Sequence, residues 1–142
     1  MFGTGVSHPN AKLLWFTGAG FFFLWIDLAL GHIGGGMKHP VMWLPVLYLP
    51  WVVLITLVTA RTSTPFTQRV FMLTCRGAVA LGILGAVFHG IEIFGEMHGS
   101  IQWEVLTRLL RYPPLLAPLA VSGLGMFGLL VNAHEPMKGG RE

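Results

Sequence analysis

Charge is scarce in this 142-residue chain: only 11% of its residues are Asp, Glu, Lys or Arg, less than half of the roughly 25% usual in soluble domains. Cysteine is scarcer still. Cys75 is the single one, so one chain cannot build a disulfide framework, and the residue reads as core filling. No phosphate-binding glycine loop, no Gly-x-Ser-x-Gly elbow and no dinucleotide fingerprint is present. Gly31, Gly34, Gly35 and Gly36 follow no strand signal. These absences argue against a hydrolase or a nucleotide-using enzyme, and against an autonomous enzyme in general. The pI of 9.5 does not indicate nucleic-acid binding, because the 9 Lys and Arg are spread thinly along the chain rather than gathered on one basic face.

Apolar residues dominate instead. They make up 54% of the chain, with a mean hydropathy of +0.67. One soluble core of this size cannot hide that much apolar surface, and a disordered chain would not carry it. Four long apolar runs stand out, at 13–33, 41–60, 70–95 and 114–133, each near the roughly 20 residues that a bilayer-spanning helix needs. None alternates with the period of a barrel strand. The expected fold is therefore all-α and integral to a membrane, a four-transmembrane-helix bundle forming a single domain over residues 1–142. The first run exceeds the usual ~7–15 residues of a signal peptide's apolar region and contains Asp27, so it reads as a retained helix.

The connections carry further signals. Gly34, Gly35 and Gly36 relax the first turn, and residues 61–69 form a polar loop. Pro45 and Pro50 are expected to bend the second helix. Between 101 and 111, Ile101, Val105, Leu109 and Leu110 share one face, while Glu104 and Arg108 stand four apart. That pattern predicts a short amphipathic helix lying on the membrane surface before helix four. Ala78, Gly82, Ala86 and Gly90 recur every four residues and mark a face for close helix approach, within the bundle or against a partner. With both termini on one side, that side carries Lys12, Arg61, Arg69, Arg76, Lys138 and Arg141, against Lys38, Arg108 and Arg111 on the other. The positive-inside rule then puts both termini in the cytoplasm, as in a protein of a bacterial inner membrane.

Ionisable residues concentrate at the outer end. Asp27 and His89 are each expected roughly 9 Å below the outer surface, on different helices. His32, Glu92 and Glu96 lie near them, and His39 and His98 lie just outside. His89, Glu92 and Glu96 share a helix face through their spacing of three and four. A carboxylate in hydrocarbon costs about 2.5–3.5 kcal/mol, which pairing with histidine or a cation would offset. Imidazole with carboxylate suits iron, zinc or manganese, while Met37 and Met97 beside His39 and His98 add soft thioether ligands that favour copper. The candidate metal ligands are thus Asp27, His32, Met37, His39, His89, Glu92, Glu96, Met97 and His98. A haem b held by His32 and His89 is the weaker alternative, since His32 is expected to lie shallower than His89. His8 and His134 lie at the opposite end and receive no role.

Three functional readings follow from the residues. The first is a metal-handling or redox membrane subunit binding copper or iron at the outer site. The second is an accessory subunit of a larger membrane complex, or a homo-oligomer, whose polar cluster contacts a quinone, protons or a partner without metal. The third is a small transporter or channel, which the apolar inner half disfavours.

Overall fold

Long apolar runs supply the helices of this protein, and proline, threonine and glycine decide where they start, lean and touch. A computed structural model describes residues 8–34, 36, 40–94 and 116–133, with the backbone alone for 92–94. It contains α1 (Ala11–Gly34), α2 (Trp43–Arg61, led in by a 3-10 turn at Pro40–Met42), α3 (Pro65–Phe94) and α4 (Leu116–Ala133). All four are long and apolar enough to cross a membrane. The surface helix expected over 101–111 lies outside the described residues.

The start of α3 departs from the expected 70. Thr64 Oγ1 accepts from the Thr67 backbone N–H at 3.1 Å, and Thr67 Oγ1 accepts from the Thr64 N–H at 3.0 Å. This is a reciprocal capping box with threonine in its second position. Pro65 occupies the first helical position, where a missing N–H is harmless. The polar segment expected as a loop is therefore mostly the first turn of a helix, and only residues 62–64 connect α2 to α3.

In α2, Pro45 falls in the first turn and Pro50 falls inside the helix. An interior proline leaves the carbonyl four residues earlier without its donor. That carbonyl belongs to Val46, and the indole Nε1–H of Trp25 on α1 donates to it at 2.9 Å. A defect in one helix thus becomes a bond between two.

The helices follow one another around the bundle. α1 packs on α2 and α4, and α3 packs on α2 and α4, so α1 and α3 stand on opposite corners. The α3–α4 contact is the closest, and glycine makes it so. A Cβ on Gly82 would run into the backbone of Pro118 and Ser122, and one on Gly125 would stand 2.9 Å from the Cys75 carbonyl. Ser122 Oγ donates to the Val79 carbonyl at 3.0 Å across the same seam. The small-residue face of α3 is therefore used inside the bundle at Ala78 and Gly82, while Gly90 meets open space.

Two apolar clusters fill the interior. One gathers Leu14, Ala60, Phe71, Cys75 and Val131 at the near end, where α1 and α3 begin. The other gathers Phe21, Leu28, Leu49, Val52, Ala78, Ala117 and Val121 further along. Two buried hydroxyls are satisfied by their own helices: Thr17 donates to the Leu13 carbonyl at 2.8 Å and Thr56 to that of Val52 at 2.7 Å. Large apolar side chains also cover the outside. Phe16 is 71% exposed and Leu73 69%, an exterior suited to lipid contact and costly in water.

Candidate functional site

At the far end, where α1 and α3 finish, the helices part around a cavity of about 460 Å³, within the size range of small-molecule sites. Its walls are almost entirely carbon. Leu28 from α1, Met42 from the turn before α2, Pro45 from α2, Phe88 from α3, and Pro118 and Val121 from α4 contribute. Two imidazoles reach the same space: His32 from α1 and His89 from α3. Both are half-buried.

The local geometry settles the proton on His32. Its Nδ1 lies 2.7 Å from the Leu28 carbonyl, and a carbonyl oxygen can only accept. Nδ1 therefore carries the hydrogen in the neutral ring and Nε2 keeps its lone pair. A ring nitrogen tied to a backbone carbonyl is the arrangement that fixes the tautomer and orientation of ligating histidines.

Each predicted site residue can now be placed. His32 and His89 come together on one cavity. The expected mismatch in depth does not keep them apart, since both line the same cavity. Asp27, only about 24 Å along α1, does not line the cavity. It is exposed on the outside of the bundle, on a helix that packs on α2 and α4 rather than on α3. Glu92 lies on α3, and its side chain is outside the described residues, as are Met37, His39, Glu96, Met97 and His98. Among the described residues, no three His, Cys, Asp or Glu side chains gather to hold an ion.

The apolar lining was not anticipated. Its signal was Pro118, a proline inside the fourth run, but which face of each helix looks inward depends on neighbours the residues do not name. At the near end Arg61 sits 5.1 Å over the Trp15 ring, a cation–π contact of the kind seen at membrane interfaces.

A scan against protein-family models finds no match, and comparison with curated proteins and with solved structures finds none either. The site is therefore interpreted from its own chemistry.

Proposed function

We propose that this chain is a small integral subunit of a bacterial inner membrane, with both termini cytoplasmic, that holds a quinone-type ring in the cavity between His32 and His89. One observation carries the reading: two imidazoles from opposite helices share a cavity whose other walls are apolar. Such a site suits a flat apolar ring with polar edges. The free Nε2 lone pair of His32 is an acceptor for a quinol hydroxyl. The apolar exterior of the surrounding helices would let the isoprenoid tail of such a ligand remain in lipid.

The carbonyl bond on His32 Nδ1 also favours a second reading, a copper or iron centre or a haem b with His32 and His89 as ligands. An ion there needs further donors, which Glu92, Met37, His39, Glu96, Met97 and His98 are placed by sequence to offer. In both readings the chain works as a redox or accessory subunit of a larger assembly.

One preparation tests both. The full chain is purified in mild detergent, and quinone and metal are quantified per chain by chromatography and mass spectrometry. About one quinone per chain, falling several-fold in His32→Ala, supports the first reading. One metal per chain that is lost in His89→Ala replaces it with the second. Neither ligand in the wild-type chain rules out both.

A further inference from the structure

Two charged residues stand on the outside of the bundle within the apolar length of their helices. Asp27 is exposed on α1, on a face it shares with Phe16, Phe23 and Leu30. Arg76 is exposed on α3, among Leu73, Ile83 and Val87. Neither forms an ion pair among the described residues. An ionised side chain facing hydrocarbon is costly and is ordinarily turned toward the bundle interior or paired. Asp27 is too short to reach the surface from its depth. Arg76, counted from the sequence with the charges of the cytoplasmic side, lies about 16 Å along α3 from Pro65, because α3 begins earlier than the expected 70 and carries it inward.

The two charges have opposite sign and stand on opposite corners of the bundle. Asp27 stands about 24 Å along α1 from Ala11 and Arg76 about 16 Å along α3 from Pro65, each within its helix rather than at an end, and the flexible stem of arginine extends its reach. Within one chain they cannot meet, because α2 and α4 lie between their helices. Between two chains in the same membrane they can. We infer that copies of this protein associate side by side, the α1 face of one against the α3 face of the next, with Asp27 of one copy paired to Arg76 of its neighbour.

The charges select this arrangement over a twofold one. A twofold contact through α1 would set Asp27 against Asp27, and one through α3 would set Arg76 against Arg76. Both oppose like charges where they repel most. A head-to-tail contact uses two different faces and leaves each copy with one of each free. Such a contact forms a ring only where the rotation between copies closes, and otherwise an open row, the outcome that faces on opposite corners favour.

Charge reversal provides the test. Full-length chains labelled with donor or acceptor dye are reconstituted in phosphatidylcholine vesicles, and energy transfer is followed as lipid dilutes them. Wild-type chains are expected to associate. Asp27→Arg alone and Arg76→Asp alone are each expected to associate at least tenfold more weakly. Mixing these two variants restores transfer. The arginine introduced at position 27 of one then meets the aspartate introduced at position 76 of the other, and the native Asp27 and Arg76 that remain pair as before. The double variant restores it as well, and this rescue separates loss of pairing from loss of fold. The inference is overturned by a wild-type chain that stays monomeric, by single reversals that leave association unchanged, or by reversals that weaken association without rescue in the mixture. Quinone and metal content do not enter this measurement, so it stands apart from the cavity assignment.

Discussion

At the scale of single residues, Trp25 and Pro50 act as one unit. Proline removes a donor from α2, and the indole of α1 replaces it at the Val46 carbonyl. Trp25→Phe keeps an aromatic ring and deletes the N–H, leaving a part-buried acceptor without a partner at a cost of about 1–3 kcal/mol. In a Pro50→Ala background, the backbone N–H regained at position 50 can serve Val46 within its own helix. The same Trp25→Phe change is then expected to lose most of its effect, as read by denaturant unfolding in detergent. This pairing was not legible beforehand, since nothing in a sequence shows which indole faces which carbonyl. Asp27 was illegible for a related reason. α1 is apolar on every side, so no polar stripe tells which residues turn inward, and the expectation that Asp27 would join His89 rested on depth alone.

At the scale of elements, the four helices were readable because runs of about 20 apolar residues have few other stable outcomes. The start of α3 was missed because its capping box uses Thr67 where Glu or Gln is the usual signal. Thr64→Ala is expected to destabilise by about 1 kcal/mol and to speed amide exchange in the first turn of α3 while leaving α4 protected. The α3–α4 seam is less forgiving. Gly82→Ala drives a methyl into backbone atoms of Pro118 and Ser122 that cannot rotate away, and overpacking of this kind costs roughly 1–3 kcal/mol. Gly90→Ala, with open space around it, is expected to be neutral or stabilising by up to about 1 kcal/mol. Thermal unfolding of the two variants side by side checks the contrast.

At the scale of the whole molecule, the proposed orientation makes opposite ends reactive from opposite sides. Cys75 is buried, so engineered thiols report with little background. Thr62→Cys is expected to react with a membrane-impermeant maleimide only in inside-out vesicles, and Pro40→Cys only in intact, right-side-out ones. The reverse pattern would invert the topology. The meeting of His32 and His89 also belongs to this scale, because it depends on helix order and relative height rather than on spacing along the chain. The two ends of the bundle differ in character as well. The far end opens into a cavity, whereas the near end is closed by Leu14, Phe71 and Val131, with the hydroxyls of Thr17 and Thr56 bonded back to their own helices. The hydroxyls of Thr17 and Thr56 are thus committed to carbonyls of their own helices. Under the proposed quinone reading, a proton released in the cavity is expected to leave by the side on which the ligand sits. Abundant expression is then expected to leave the cell's proton-motive force intact, as read with a potential-sensitive dye, the behaviour of a one-sided vessel; a collapse of the potential would instead favour the channel reading.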